Sequence, residues 1–216
     1  IALKMANLPV LTTARDNAKW ISDFYISMHS LAYNIDFSKD IKNKIFSIAE
    51  NSRYLLPDSS YSSKMYDFVK KQYDSGVSWE EARDKIYERY QVNEDDGYDI
   101  TSRNLYCNGC FAAGINFAAS LISLFWGEGD LKKTIKIGTL MGWDSDNPTS
   151  TWGGLIGFIL GKEGIEEEFG KKFSNEYFIH RTRQNFEKSI DNFDNMADKG
   201  IRIISRLVIN ELGGSY

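Results

Sequence analysis

Cysteine is scarce in this chain of 216 residues, which contains only Cys107 and Cys110. Two thiols are too few for a four-thiolate zinc site or for a disulfide framework, so we expect a reducing compartment and a cytoplasmic protein. The pair has the Cys-x-x-Cys spacing of redox proteins. Because the βαβ pattern that surrounds such motifs is missing, a redox function is the less favoured interpretation.

Concentrated positive charge and long hydrophobic runs are also lacking. The net charge is −4, and no segment collects enough lysine and arginine to form a basic surface, which argues against nucleic acid as a partner. The most apolar stretch, 110–126, is interrupted by Asn116, Ser120 and Ser123. Because this stretch is at the short limit for a membrane span, we interpret it as a buried core helix and expect no membrane partner.

The apolar residues that are present recur mostly at helical spacing. One stripe alternates steps of four and three residues and consists of Ala14, Ala18, Ile21, Tyr25, Met28 and Ala32. The stretch 105–126 is apolar nearly all the way round, which predicts a central helix. Other predicted helices follow caps at Asp58 or Ser59, Ser78 and Asp130, or span 148–160, 185–199 and 201–212; 176–180 is a candidate extended segment. With no repeat and no linker rich in proline or glycine, the sequence predicts one all-α domain over residues 1–216.

One short turn concentrates acidic side chains at the start of a helix: Gly142-Trp143-Asp144-Ser145-Asp146-Asn147-Pro148. Proline favours the first helical turn, so Asp146 or Asn147 should be the N-cap, with Asp144 just outside. Two carboxylates in alternate positions repel each other. Mg²⁺ or Mn²⁺ between them would relieve that repulsion, because both ions prefer oxygen ligands. From the turn alone, a plain helix cap with a spare acid is the favoured alternative.

The helix after this turn is rich in glycine. Gly153, Gly154 and Gly157 are interior, and Gly161 stands near its end. Each interior glycine costs about 1 kcal/mol relative to alanine, so we expect a compensating contact. Gly153, Gly157 and Gly161 lie four residues apart on one face, where the central helix 105–126 could approach closely. The turn would then have the rigid support that a metal site needs.

The turn and its glycine-rich helix resemble the C-terminal metal motif of the ADP-ribosylglycohydrolase family, which includes the dinitrogenase reductase-activating glycohydrolase. The family pattern is Gly-Gly-Asp-Thr-Asp-Thr, followed by a helix of small residues that ends in glycine. The segment Gly127-Glu128-Gly129-Asp130-Leu131 and the buried helix before it are also similar. The resemblance is firmest over 108–161 and extends more weakly back to Ala14, where Met28-His29-Ser30 resembles a Thr-His segment.

This resemblance implies a compact, orthogonal multi-helix all-α fold that binds two divalent ions, Mg²⁺ or Mn²⁺. It implies metal-ligand roles for Asp144 and Asp146, and for Asn147, which stands where the family has a ligating threonine. Trp143 replaces a family glycine, so the wall beside the metals would be bulkier. The family's other metal motif, Thr-Asp-Asp-Thr, and its catalytic glutamate do not occur in these residues. We therefore expect the chain, which begins at Ile1, to be the C-terminal part of a catalytic domain, incomplete at its N-terminus and dependent on the preceding segment of the same polypeptide.

The substrate-binding candidates are His29, Asn108, Gly109 and Trp143. A structural role for His29 beside the apolar stripe is the favoured alternative, whereas Asn108 and Gly109 would open the central helix near the turn. The leading hypothesis is a divalent-metal-dependent glycohydrolase that cleaves an N- or O-glycosidic ADP-ribosyl bond on a protein side chain or a related acceptor. The alternatives are a non-catalytic relative that binds ADP-ribose or is structural, and a glycohydrolase for a small nucleoside or sugar.

Overall fold

The computed structural model describes residues 1–33, 40–100, 103, 107–180, 183 and 189–214. Its internal contacts separate two compact units, Ile1–Glu168 and Phe169–Tyr216. Most of the described residues are helical, and the strands found among them form one two-stranded sheet. The all-α class predicted from the periodicity is therefore confirmed, while the particular family type of the fold stays a prediction.

The first unit is built from eight α-helices among its described residues. They are α1 (Ala2–Thr13), α2 (Asp16–Ala32), α3 (Ile41–Arg53), α4 (Tyr61–Asp74), α5 (Trp79–Ile86), α6 (Ala113–Gly127), α7 (Leu131–Leu140) and α8 (Asp146–Phe169). A π-helical turn (Tyr87–Val92) and a 3₁₀ turn (Asp95–Gly97) follow α5.

Side-chain caps fix where several of these helices begin. Ser78 accepts a hydrogen bond from the Glu81 amide at α5, and Asp130 accepts one from the Lys133 amide at α7, which confirms both predicted caps. At α4 the cap is Ser60, one or two residues beyond the predicted Asp58 or Ser59.

The predicted central helix is α6, which is buried over nearly its whole length. It packs against α2, α4, α5 and α7, and aromatic rings fill the contacts. The Phe117 ring meets Phe24 of α2 edge-on at 5.2 Å, and Phe125 meets Tyr66 of α4 at 5.7 Å. Among the described residues, none of the helices combines the length and the hydropathy needed to cross a membrane.

The start of the central helix was predicted too early, at residue 105. The helix begins at Ala113, because residues 107–112 form turns with consecutive left-handed residues. Asn108 has φ +44° and Gly109 has φ +87°, values that no right-handed helix contains. The prediction that Asn108 and Gly109 open this helix is therefore wrong.

The glycine-rich helix exists, but its glycines do not pack against α6. A Cβ added at Gly153 would meet Ile135 of α7 at 3.7 Å, and one at Gly157 would meet Ile165, later in α8, at 3.3 Å. At Gly161 the backbone turns sharply, with φ +67° and ψ 177°, and the chain resumes as the second half of α8. The predicted close approach of the two helices is thus wrong, since the glycine face is turned toward α7 and toward α8 itself.

Contact between α8 and α6 comes instead from a large side chain. Trp152 is fully buried, and its Nε1 donates a hydrogen bond of 2.7 Å to the Ser120 carbonyl oxygen. Its ring also meets Tyr25 of α2 edge-on at 5.4 Å. Trp152 therefore holds the first half of α8 against both α2 and α6.

Among its described residues, the second unit contains a small hairpin and one long helix. Strands β1 (Glu176–Phe178) and β2 (Ile190–Asn192) pair antiparallel, which confirms extended structure within 176–180. Asn192 caps α9 (Phe193–Leu212) by accepting a hydrogen bond of 2.8 Å from the Asn195 amide. The two helices predicted over 185–199 and 201–212 are one continuous helix, α9, from residue 193 onward. The predicted start is wrong over 189–192, which form a bend and β2, and positions 185–188 lie outside the described residues.

Candidate functional site

A cleft of about 550 Å³ opens in the first unit between α2, the start of α6 and the first turns of α8. His29 and Asn147, both of which the family resemblance selected, line the same cleft. Its lining comprises Ala14, Ala18, Ile21, Ser22, Tyr25, His29, Phe111, Ala113, Asn116, Asn147, Ser150 and Thr151. The apolar stripe predicted for the first helical segment therefore serves two purposes, because part of it is core and part of it forms a cleft wall.

Tyr25 supplies a fixed hydroxyl to this wall. Ser120 Oγ donates to the Phe117 carbonyl oxygen at 2.8 Å, so the Tyr25 hydroxyl, 2.8 Å from Ser120 Oγ, is the donor in their hydrogen bond. Burial raises the pKa of Tyr25, and the Ser120 bond offsets this only in part. Tyr25 thus stays neutral near pH 7 and acts as a hydrogen-bonding wall residue.

His29 lies in the last turn of α2 and is exposed to solvent. Its Nδ1 is 2.9 Å from the Tyr25 carbonyl oxygen. Because a carbonyl oxygen only accepts, Nδ1 carries the proton in this bond, which leaves Nε2 as the acceptor of the neutral ring. His29 can therefore accept a hydrogen bond from a ligand hydroxyl in the cleft.

The acidic turn leads into a helix as predicted, but the helix begins earlier than the predicted cap allows. Gly142 and Trp143 are both left-handed, with φ +89° and +51°, and α8 begins at Asp146. Asp146 is therefore the first helical residue, and the cap position falls on Ser145 instead of Asp146 or Asn147. The Asn147 amide closes the turn by donating to the Asp144 carbonyl oxygen at 2.9 Å. The helix start thus brings Asp144 and Asp146 to one side of the turn and places Asn147 in the cleft.

The side chains of Asp144 and Asp146 lie within hydrogen-bonding reach of each other. A hydrogen bond with Asp146 raises the pKa of the Asp144 carboxyl, and desolvation and the negative charge of Asp146 raise it further. Two carboxylates this close repel each other, and a proton or a cation between them would relieve the repulsion. Mg²⁺ is commonly held by one or two carboxylates with waters. The carboxylates of Asp144 and Asp146, next to Asn147 in the chain, fit such an ion.

Other acidic ligands do not converge on this pair. Across the part of the chain that the structure describes, no cluster of three or more His, Cys, Asp or Glu side chains forms a metal-binding group. An ion at Asp144 and Asp146 would therefore take its remaining ligands from water, from Asn147 or from a bound substrate.

The other substrate-binding candidates stand apart from the cleft lining. Trp143 is half-buried in the turn, and Asn108 and Gly109 lie in the turn spanned by Cys107 and Cys110. These two cysteines, for which a reducing compartment was expected, are joined by a disulfide. The residue from this region that lines the cleft is the exposed Phe111, which the sequence interpretation did not select.

Asn116 is another site residue that the sequence interpretation did not select. Its side chain is buried, with Nδ2 donating to the Cys110 carbonyl oxygen at 2.6 Å and to the Ala112 carbonyl oxygen at 3.0 Å. Its Oδ1 accepts a hydrogen bond of 3.1 Å from the Asp144 amide. The sequence did contain a signal for Asn116, which is an amide side chain inside a largely apolar helix. A buried polar group needs hydrogen-bond partners, and those of Asn116 lie in two other segments.

Comparisons of the chain with protein-family models, with curated proteins and with solved structures find no match.

Proposed function

We propose that this protein binds an ADP-ribosyl group in the cleft beside a divalent ion, Mg²⁺ or Mn²⁺, and hydrolyses its glycosidic bond. The observation that carries the proposal is the contact between the Asp144 and Asp146 carboxyls at the start of α8, next to Asn147 in the cleft wall. The motif resemblance described above supplies the substrate class. Cytoplasmic location and an ADP-ribosylated protein or small ADP-ribosyl compound as partner belong to the same proposal.

The polar residues of the cleft suit the hydroxyl groups of a ribose. Ser150, Thr151 and Asn147 line the cavity from α8, and His29 lines it from α2. Hydroxyls and amides of this kind both donate and accept hydrogen bonds, as ribose hydroxyls do. Their role is to orient the sugar, which converts binding energy into a productive geometry.

The apolar residues of the cleft suit the neutral parts of the ligand. Ile21, Tyr25 and the exposed Phe111 offer a surface for a planar base or for the carbon face of a sugar. Among the described residues, those that line the cleft include neither lysine nor arginine, so a phosphate would find no cationic side chain among them. A bound Mg²⁺ or Mn²⁺ would supply positive charge and water activation near Asp144 and Asp146.

The test removes both carboxylates with little change in shape. Calorimetry with Mn²⁺ should give binding for the natural chain and a loss of more than about tenfold in affinity for Asp144→Asn/Asp146→Asn. Hydrolysis is then compared in the full-length polypeptide over ADP-ribosyl-arginine, ADP-ribosyl-serine and simple nucleosides. The matched control is Asp84→Asn/Asp99→Asn, which removes two exposed acids from elsewhere in the chain. Unchanged Mn²⁺ affinity and undiminished hydrolysis in the Asp144/Asp146 variant would refute the proposal.

A second candidate is a protein that binds ADP-ribose without cleaving it. The observation in its favour is that the described residues of the cleft lining include no carboxylate to act as acid or base, and the lining residue Tyr25 is held neutral. Calorimetry with ADP-ribose, with and without Mg²⁺, separates the two. Metal-independent binding without turnover supports the binding protein, and turnover restricted to nucleosides or simple sugars supports the small-substrate hydrolase.

A further inference from the structure

Two turns with unusual backbones meet at the side chain of Asn116. One is the turn of Cys107 and Cys110, with left-handed residues at Asn108 and Gly109; the other contains left-handed Gly142 and Trp143 just before Asp144. Asn116 reaches the first through Nδ2, 2.6 Å from the Cys110 carbonyl oxygen, and the second through Oδ1, 3.1 Å from the Asp144 amide. A single buried amide thus joins the two turns.

The disulfide defines the position of the first of these turns. Its backbone closure consists of hydrogen bonds from the Cys110 amide to Cys107 and from the Ala112 amide to Gly109, at 3.1 and 2.9 Å. A left-handed non-glycine residue such as Asn108 is costly and persists where its surroundings enforce it. The covalent bond between Cys107 and Cys110 is such a constraint, and it fixes the carbonyl oxygen to which Asn116 donates.

We propose that Asn116 is a positioning residue for the Asp144 turn, and that the redox state of the Cys107–Cys110 pair controls this positioning. With the disulfide intact, both Nδ2 and Oδ1 of Asn116 are hydrogen-bonded, and Oδ1 keeps its hydrogen bond from the Asp144 backbone amide. With the disulfide broken, the Cys110 carbonyl oxygen is released from its fixed place. Asn116 then retains only Ala112 as an acceptor, and the Asp144 turn loses the rigid support of its amide.

The chemistry is thiol–disulfide exchange with a small dithiol. A thiolate of the dithiol attacks one cysteine sulfur, the S–S bond breaks, and a mixed disulfide forms. The second thiol of the reagent then displaces the other cysteine. Two electrons and two protons pass to Cys107 and Cys110, which become thiols, and the reagent becomes a cyclic disulfide. Both cysteines are partly exposed, so a small reagent can reach them.

The inference deepens the proposed function and rests on it for its consequence, since loosening the Asp144 turn would weaken a metal site there. The coupling between the two turns is measurable without any metal. Failure of the coupling and failure of metal binding are therefore separate results.

The experiment follows hydrogen exchange of the Asp144 amide by NMR, in metal-free protein, before and after reduction with dithiothreitol. Reduction should accelerate exchange on the order of tenfold, a size typical of coupling between two sites. The Cys107→Ser/Cys110→Ser variant should show the faster exchange with or without reductant. The internal control is the Ser63 amide, which is likewise bonded to a side chain, Ser60 Oγ at 3.1 Å, but lies in α4; its exchange should not change.

The decisive variant is Asn116→Ala. Exchange at Asp144 should be fast in this variant in both redox states, so that reduction has no further effect. The proposal is overturned if reduction of the natural chain leaves Asp144 exchange unchanged, or if reduction produces the same acceleration in Asn116→Ala. If Asn116→Ala does not fold, the natural chain and the Cys107→Ser/Cys110→Ser variant still decide the outcome.

Discussion

At the scale of single residues, Tyr25 shows how a position chosen as core can also belong to a site. Its spacing within the apolar stripe correctly placed its ring against the interior, where it meets Phe117 edge-on at 5.9 Å. The spacing did not show that its hydroxyl is bound by Ser120, which is 95 residues away. Such partners depend on how helices pack, and periodicity reports only the face that a residue occupies.

Replacing Tyr25 with phenylalanine should cost about 1 kcal/mol in the free energy of unfolding, because it removes a hydrogen bond and leaves the buried Ser120 oxygen short of a donor. Urea denaturation measures this cost. The double variant Tyr25→Phe/Ser120→Ala completes a cycle that isolates the coupling between the two hydroxyls. A coupling energy near zero would contradict the hydrogen bond as described.

His29, Asp144, Asp146 and Asn147 illustrate how much of the site a sequence can supply. Capping rules and carboxylate repulsion act locally along the chain, so residue types and spacing were enough to select Asp144 and Asp146. His29 and the metal role of Asn147 came from the family resemblance. Neither source could reveal Asn116, whose partners Cys110 and Asp144 are brought together by the fold. The local half of the site was predictable, and the half that connects segments was not.

At the scale of secondary-structure elements, α8 contains glycine in two different settings, one inside the helix and one at a break in the helix. Gly154 is exposed and helical, and a Cβ there would meet no atom within 4 Å. Gly161 also has open space around it, but its φ of +67° belongs to a region that other residues rarely adopt. The sequence pattern treated the glycines as one packing face, because it could not distinguish space from backbone conformation.

Alanine substitutions at Gly154 and Gly161 should change the free energy of unfolding in opposite directions. Gly154→Ala should raise the free energy of unfolding by about 1 kcal/mol, the difference in helix propensity. Gly161→Ala should lower it by about 1–3 kcal/mol, the cost of a strained backbone. Urea denaturation of both variants tests the pair, and the same sign of change in both would contradict the break at Gly161.

At the scale of the whole first unit, the class of the fold was predictable and its helix-to-helix arrangement was not. Helix starts set by Ser78 and Asp130 follow from nearby residues, so the sequence located them. The start of α6 depends on the turn of Asn108 and Gly109, and the seating of α8 depends on Trp152. Both are set by tertiary contacts, which single-sequence periodicity does not contain.

One ion cluster connects four helices of this unit through Glu128, the left-handed residue that ends α6. Its carboxylate is 2.8 Å from Lys133 Nζ of α7 and 2.7 Å from both Lys42 Nζ of α3 and the Tyr73 hydroxyl of α4. Hydrogen bonds from Lys133, then Lys42, then Tyr73 lower the pKa of Glu128 from 4.5 to about 2. Ionised Glu128 therefore stabilises the folded chain.

The sign of the pH dependence follows from this lowered pKa. Above pH 4.5 Glu128 is ionised in folded and unfolded chains alike, and its stabilisation is fully present; it is lost as the pH falls from 4.5 toward about 2. Urea denaturation at about pH 6 and about pH 3 should show a smaller loss of stability in Glu128→Gln than in the natural chain. Glu88→Gln, which removes an exposed carboxylate from the π-helical turn, should retain the natural dependence. If Glu128→Gln loses as much stability at low pH as the natural chain does, Lys42 and Lys133 do not bind this carboxylate strongly enough to lower its pKa.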